Sequence, residues 1–160
     1  MAVQVFQSDS LLVDATGGKP GAASNRANAV LRAMRWNVPD TVIVGDAGST
    51  LQVCTLPYAA RYIASLSKLG WEPFGTGRTL NFGWLPYRMA DGTEVAGNPA
   101  GLATGLDVAL AGRSFFDAFP TSSVDEMAFP APVTLVLTVL GGTIPVGTGV
   151  GGIIVYLNAS

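Results

Sequence analysis

The stretch Val133-Thr-Leu-Val-Leu-Thr-Val-Leu140 decides the fold class of this 160-residue chain. It is rich in β-branched residues, which favour extended backbone over helix. Because side chains alternate along a strand, the odd-numbered residues would face one side and the even-numbered residues the other. The run is far shorter than the roughly 20 apolar residues that span a bilayer. We therefore predict a buried β-strand here.

The segments that follow this stretch predict a loop and a last strand. Residues 141–149 form a loop or a short strand, and residues 150–157 close the chain as a strand. Gly147-Thr-Gly149-Val-Gly-Gly152 has the spacing G-x-G-x-x-G of dinucleotide-binding proteins. That site needs a helix directly after the glycines, but only eight residues follow Gly152, and they are strand-like. The pattern therefore predicts a glycine-rich turn before the last strand.

Upstream of Val133, short strand-like segments alternate with Gly and Pro. The clearest are residues 41–44, 50–56, 61–69 and 78–85, and Asp91-Gly92 is a tight-turn signal. In residues 61–69, alternation would place Tyr62, Ala64 and Leu66 on one face. Seven or eight short strands about 10 residues apart predict an all-β fold, either a β-sandwich or a jelly roll.

Two later segments are less decisive. Residues 102–110 have helical spacing in part, although Gly101, Gly105 and Gly112 weaken any long helix. Residues 114–119 fit a short strand or a turn. Neither segment supplies the long helices that a doubly wound fold would need between its strands.

The first 37 residues differ from the rest and predict an extended N-terminal arm. Residues 17–24 are rich in glycine and other helix breakers. Residues 25–36 would allow one or two helical turns, or an extended segment with Val30, Arg32, Met34 and Trp36 on one side. We therefore assign residues 1–37 to the arm and residues 38–160 to the β-sandwich domain.

Composition excludes several kinds of chemistry. The chain has no histidine and a single cysteine, Cys54, so it lacks the commonest general base and any thiolate metal cage. Cys54 lies in an apolar run and fits a small buried residue. The carboxylate pairs Asp91/Glu94 and Asp125/Glu126 fit solvated loops better than an acid–base pair. We predict no catalytic residue, no cofactor, no metal and no enzymatic activity.

Candidate partner-binding residues fall in two places. No acidic residue interrupts residues 16–38, which contain Lys19, Arg26, Arg32 and Arg35. These cations could contact nucleic-acid phosphates or a neighbouring protein, with Trp36 as an aromatic anchor. Four cations are few for nucleic acid and the formal net charge is −2, so we favour a protein partner.

The second candidate is an aromatic loop at residues 71–77. Its Trp71 and Phe74 could bind sugar or protein if they are exposed, whereas Trp84 fits the core. An exposed aromatic loop would suit a receptor- or glycan-binding protein at a head spike, fibre base or tail.

The order of these features resembles the small β-sandwich structural proteins of tailed-bacteriophage virions. The resemblance covers about residues 40–157 and rests on Asp40-Thr-Val-Ile-Val-Gly45, Leu56-Pro57, Asp107-Val-Ala-Leu-Ala-Gly112 and Leu137-Thr-Val-Leu-Gly-Gly-Thr-Ile-Pro145-Val-Gly147. Such proteins have no catalytic residues to carry over.

The resemblance implies a capsid decoration or cement protein that stabilises the head. Its partners would be the major capsid protein or other virion proteins, and the chain would form a homo-oligomer, with a trimer favoured. Neither a membrane nor nucleic acid is expected as a partner. The expected location is the virion, assembled in the cytoplasm of the bacterial host. Low charge, 12% of residues, fits a surface largely covered by neighbours.

Overall fold

A computed structural model describes residues 4–7, 29–38, 45–122, 125–145 and 148–159. In chain order the described strands are β1 (Gln4–Gln7), β2 (Ala29–Val38), β3 (Thr50–Leu56), β4 (Ala60–Trp71), β5 (Thr79–Trp84), β6 (Tyr87–Arg88), β7 (Glu94–Val95), β8 (Asn98–Asp107), β9 (Gly112–Phe115), β10 (Thr121–Ser122), β11 (Glu126–Phe129), β12 (Val133–Leu140) and β13 (Val150–Ala159). A short 3-10 helix covers Phe116–Ala118. No helix in the described ranges is long and apolar enough to cross a membrane.

Most of the strands form two antiparallel sheets that share one core, and β6 and β7 form a separate two-stranded sheet. The first sheet has the order β1-β2-β13-β4-β11, with β9 also paired to β4. The second sheet has the order β10-β8-β5-β12-β3. The buried cluster contains Trp36, Tyr62 and Ile154 from the first sheet and Phe82 and Leu135 from the second. The predicted all-β fold and β-sandwich architecture are therefore confirmed.

The stretch Val133–Leu140, from which the fold class was predicted, forms β12 in the interior of the second sheet. It pairs with β5 on one side and with β3 on the other. Residues 135–139 are buried on both faces of the strand. A strand with neighbours on both sides and cover on both faces is where a run of β-branched and leucine residues packs best. The last predicted strand is β13, and it begins at Val150, inside the glycine-rich pattern, so Gly151 and Gly152 belong to the strand and not to a turn before it.

Residues 25–36 were predicted to form either helical turns or an extended segment. The described part of this segment is extended and belongs to β2. Met34, Trp36 and Val38 are buried, while Arg35 and Asn37 are exposed. It pairs with β13 along its whole length, from Val38↔Val150 to Ala29↔Ala159. Residues 29–37 of the predicted arm are thus an integral part of the first sheet, because period-two burial ties them to the core. Residues 8–28 and the predicted strand at 41–44 lie outside the described residues.

The predicted faces of β4 are wrong beyond Ala64. Tyr62 and Ala64 are buried as expected, but Leu66 is 48% exposed and Ser67 is fully buried. The pairing of β4 with β13 shifts register between Ile153 and Val155. Between these pairs β4 advances five residues, from Ile63 to Lys68, while β13 advances two, so β4 has three extra residues. An odd number of extra residues reverses the alternation beyond the bulge.

The partly helical pattern of residues 102–110 is a strand instead. Residues 98–107 form β8, with two irregularities in its pairing to β5. Gly105 has a φ of 80°, a left-handed conformation that an α-helix cannot contain. Residues 114–119 comprise the end of β9 and the 3-10 helix.

The predicted tight turn at Asp91-Gly92 is confirmed. It joins β6 to β7, and the Asp91 carboxylate accepts a hydrogen bond from the Thr93 N–H at 2.9 Å. Gly92 takes a φ of 87°. A glycine is favoured at this point because residues with a side chain rarely adopt that conformation.

Candidate functional site

A shallow groove crosses the outer face of the first sheet, where β2, β13, β4 and β9 lie side by side. Residues that are paired across neighbouring strands project to the same face of a sheet. One row of paired residues contains Arg35, Ile153, Lys68 and Phe115. The next row on the same face contains Asn37, Gly151, Gly70 and Arg113. We call these two rows the basic groove.

The centre of the basic groove has a glycine floor. Gly70 and Gly151 are direct neighbours on β4 and β13 and put no side chain between Asn37 and Arg113. The groove encloses about 780 Å³. A further depression of about 380 Å³ continues from it past Trp71 and Glu72. In this row the side chains of Asn37 and Arg113 flank two glycines, so a small partner group can approach the sheet between them.

Three cations line the basic groove, Arg35, Lys68 and Arg113, and they differ from two exposed arginines elsewhere on the molecule. Arg61 forms an ion pair with Glu126 at 3.1 Å, and Arg88 is within 3.7 Å of Glu94. Within the described ranges, no carboxylate lies at salt-bridge distance from Arg35, Lys68 or Arg113. Their positive charge is therefore not balanced by a neighbouring carboxylate of the described residues.

Apolar groups interrupt the positive charge. The Lys68 ammonium lies 4.6 Å from the centre of the Phe115 ring, a cation–π contact. Phe115 is 40% exposed, and Ile153 between Arg35 and Lys68 is half-buried. The basic groove can thus bind negative charge and apolar groups at adjacent positions.

One carboxylate closes the end of the second depression. Glu72 accepts a hydrogen bond from the Gly149 N–H at 2.9 Å, which holds it beside the start of β13. It is the single acidic residue among the described residues that line the two depressions. The charge of this face therefore changes sign from the basic groove to its end.

Residues beneath the sheet surface keep the groove strands in place. Trp36 and Leu69 project inward from the same strands and are each 1% exposed. The Trp71 indole N–H donates to the Leu110 carbonyl at 2.7 Å, and its ring lies where a Gly112 side chain would be. These contacts fix β9, and with it Arg113, alongside β4.

The six predicted partner-binding residues have very different positions. Arg35 lies in the basic groove, and Trp71 is half-buried at the second depression. Arg32 lies on the opposite side of β2 from Arg35, paired with Tyr156. Arg26 lies outside the described residues. Partner binding by these four residues stays a prediction.

Trp36 and Phe74 are core residues, which corrects their predicted role as exposed anchors. Trp36 faces inward because it lies on the buried side of β2, and Phe74 is fully buried. The Phe74 N–H donates to the Val108 carbonyl at 2.9 Å, which draws the aromatic loop onto the core. Neither side chain offers an accessible surface to a partner in this fold.

Lys68, Arg113 and Phe115 were not recognised from the sequence. They lie in two strands whose pairing brings together residues about 45 positions apart, and local patterns do not encode such a register. The one available signal was Lys68 itself, a charged residue between two residues that proved to be buried.

Two chemical features bear on catalysis among the described residues, clustered metal ligands and the single thiol. No group of three or more His, Cys, Asp or Glu residues lies close enough together there to hold a metal ion. Cys54 is buried as predicted, and burial raises the pKa of its thiol to about 12. A thiol with this pKa carries almost no thiolate at neutral pH and is a poor nucleophile.

Comparisons with known proteins agree with the fold. No protein-family model matches the chain, and no curated protein matches it. Its structure is similar to a chain in the structure described as "Capsid of Ralstonia phage GP4", with a TM-score of 0.57, 18% identity and coverage of 81% of this chain and 85% of that chain. A structure of infectious bursal disease virus, strain Gt, gives a TM-score of 0.47 and 13% identity, covering 82% of this chain and 33% of that one.

The molecule is thus a small antiparallel β-sandwich with an exposed basic groove on one sheet. Its fold is shared with a chain from a phage capsid over most of both chains. The β-sandwich fold that the resemblance to phage virion proteins implied is confirmed.

Proposed function

We propose that this chain is a structural protein of a phage virion, and more particularly a decoration or cement protein of the head. The observation that carries the proposal is the fold shared with a chain of a phage capsid, matched over 81% of one chain and 85% of the other. The match therefore extends over most of each of the two chains.

The surface suits a protein whose work is contact. Only 12% of the residues are charged, and Tyr58 and Leu110 are strongly exposed apolar side chains. In an assembled particle, contact with a neighbouring protein would cover both side chains. The partners we propose are the major capsid protein and further copies of this chain, with a trimer favoured, inside the virion.

The mechanism would be thermodynamic. A protein that binds the assembled shell but not its free subunits stabilises the shell by mass action. At a free concentration 100 times Kd this stabilisation is about 2.7 kcal/mol for each site. A rigid sandwich suits this work because little conformational entropy is lost when it binds.

A re-addition experiment tests the proposal. Capsids assembled without this chain are mixed with the purified protein, and bound protein and the melting temperature of the capsid are measured. We expect saturable binding and a higher melting temperature. A purified protein that neither binds capsids nor changes their melting would contradict the proposed function. Free subunits of the shell protein serve as the control that should not bind tightly.

The alternative of a glycan-binding aromatic loop loses part of its basis. Phe74 is buried, and the Trp71 indole N–H is already bonded to the Leu110 carbonyl. A sugar platform needs an exposed ring face. The aromatic loop offers only the half-buried Trp71, so we place the partner surface at the basic groove instead.

A further inference from the structure

We propose that the basic groove binds an extended acidic segment of the shell protein, with carboxylates on the three cations and apolar side chains between them. The identity of the partner rests on the proposed function, whereas the chemistry of the bound segment follows from the groove itself.

The spacing of the cations fits an extended peptide that crosses the strands. With strands about 4.8 Å apart, Arg35 and Lys68 are separated by two strand spacings, or about 10 Å. Lys68 and Arg113 lie on adjacent strands and two residues apart, which places their backbones about 8 Å from each other. Alternate side chains of an extended segment repeat about every 7 Å. Long cationic side chains can span the difference.

The glycine floor supplies the room. A Cβ built on Gly70 would make only ordinary contacts, the nearest with the Arg113 Cγ at 3.6 Å, so one small group fits above this residue. Gly151 lies beside it, and Ile153 and Phe115 supply apolar contacts in the next row. A side chain of the bound segment can therefore rest on the sheet between the cations.

The charge pattern favours a peptide over nucleic acid. Phosphates of a nucleic acid continue along the strand, and the Glu72 carboxylate at the end of this face would repel them. The formal net charge of −2 provides no general attraction for a polyanion. A short segment in which acidic and apolar residues alternate can end before Glu72, and it needs only the local charge of the groove for attraction.

Peptide binding tests the chemistry of the groove directly. The probe is a synthetic eight-residue peptide of alternating glutamate and leucine, and binding is followed by NMR or by intrinsic tryptophan fluorescence. We expect Lys68→Gln with Arg113→Gln to weaken binding about tenfold or more, through loss of two charge-assisted contacts. Gly70→Ala should also weaken binding, because its methyl group enters the groove without disturbing the fold.

Matched controls separate the groove from general electrostatics. Arg61→Gln with Arg88→Gln removes the same charge from two exposed cations outside the groove and should leave peptide binding unchanged. Thermal melts of all variants check that they are folded. Equal loss of binding in both double variants would overturn the proposal, as would tighter binding of octathymidylate than of the peptide.

Capsid binding then distinguishes the two proposals. If the Lys68→Gln/Arg113→Gln variant binds capsids as well as the wild type, the groove proposal is wrong and the proposed function stands. If the wild type binds the peptide through the groove but does not bind capsids, the proposed function is wrong and the assignment of an acidic peptide to the groove stands. If the wild type binds capsids and the Lys68→Gln/Arg113→Gln variant does not, the result supports both the groove proposal and the proposed function.

Discussion

Two glycines of the first sheet have opposite roles, although they lie in paired strands. Gly70 faces outward, and a Cβ there would meet only ordinary contacts, the nearest being the Arg113 Cγ at 3.6 Å. Gly152 faces inward between Trp36 and Leu69, and a Cβ there would overlap the Lys68 backbone carbonyl. The first glycine leaves space for a partner, and the second allows β13 and β4 to approach each other.

Gly152→Ala should destabilise the protein by about 1–3 kcal/mol, because the added methyl group must displace backbone. Gly70→Ala is the matched control and should change the free energy of unfolding by less than about 0.5 kcal/mol. Urea denaturation measures both. Equal stability of the two variants would show that Gly152 is not required for the close approach of the strands.

The buried Cys54 thiol and Tyr62 hydroxyl should make the folded protein less stable in alkaline solution. Burial raises the pKa of the Cys54 thiol from 9.0 to about 12 and also raises the pKa of the Tyr62 hydroxyl. In the unfolded chain these groups ionise at their ordinary pKa values. The unfolded state therefore binds fewer protons than the folded state above about pH 9, and the stabilisation is lost as pH rises from there towards 12.

We expect the urea midpoint to be level from pH 7 to about 8.5 and to fall above pH 9. Cys54→Ala should lower the stability at neutral pH, since it leaves a cavity, but should make the alkaline fall less steep. Labelling of the thiol at pH 7.5 should be slow in the native protein and fast in urea. Fast labelling of native protein would contradict the burial of Cys54.

At the scale of elements, the bulge in β4 depends on one serine. The buried Ser67 hydroxyl donates to the Ile63 carbonyl at 2.7 Å and accepts from the Val155 N–H at 2.9 Å. The side chain thus replaces a strand-to-strand hydrogen bond where the register shifts. This bulge also returns Lys68 to the outer face, in the first row of the basic groove.

Ser67→Ala should cost about 1–3 kcal/mol, because the Val155 N–H loses its partner inside the protein. Ser65→Ala is the matched control, since it is the Ser65 backbone N–H that bonds to Asp125. Denaturant unfolding gives both values, and hydrogen exchange of the Val155 amide reports on the site itself. An unchanged exchange rate at Val155 would be incompatible with this role of Ser67.

The strand β2 is expected to be essential for folding. A variant lacking residues 1–37 loses Trp36 from the core and leaves β13 without its partner on one side. It should fail to unfold cooperatively. A variant lacking only residues 1–28 keeps β2 and should unfold cooperatively. Thermal melts followed by circular dichroism measure the cooperativity of both variants. A cooperative melt of the variant lacking residues 1–37 would mean that β2 is dispensable.

Local sequence patterns predicted where several strands lie, but they did not predict which strands are paired or in which register. Residues 50–56, 133–140 and 150–157 were recognised because their apolar and β-branched residues suit only buried strands. Residues 25–36 stayed ambiguous because Ala, Leu, Met and Arg tolerate helix and strand alike. The basic groove could not be predicted, because it depends on which of four strands lie together and in which register.

At the scale of the whole molecule, one sheet carries a positively charged outer face in a chain that is slightly acidic overall. Arg35, Lys68 and Arg113 lie on this face without a carboxylate partner in the described ranges, whereas Arg61 and Arg88 are paired. Charge concentrated on one face orients a small protein as it approaches its partner.

Attachment to capsids should therefore weaken as salt is added. Raising ionic strength from about 0.05 to 0.5 M shortens the range over which charges attract each other. Co-sedimentation with capsids should show weaker binding of the wild type at high salt and little salt dependence for Lys68→Gln/Arg113→Gln. Salt-independent binding of the wild type would indicate that apolar contacts such as Leu110 dominate instead.

The most direct test of the central claim, that this chain is a virion structural protein, is a cryo-electron-microscopy map of virions purified from the source of this chain. We predict density for the two-sheet sandwich on the head, with the face that carries Lys68 and Arg113 directed at an acidic segment of the shell protein. Virions that contain no copy of this chain would contradict the claim that it is a structural protein of the particle.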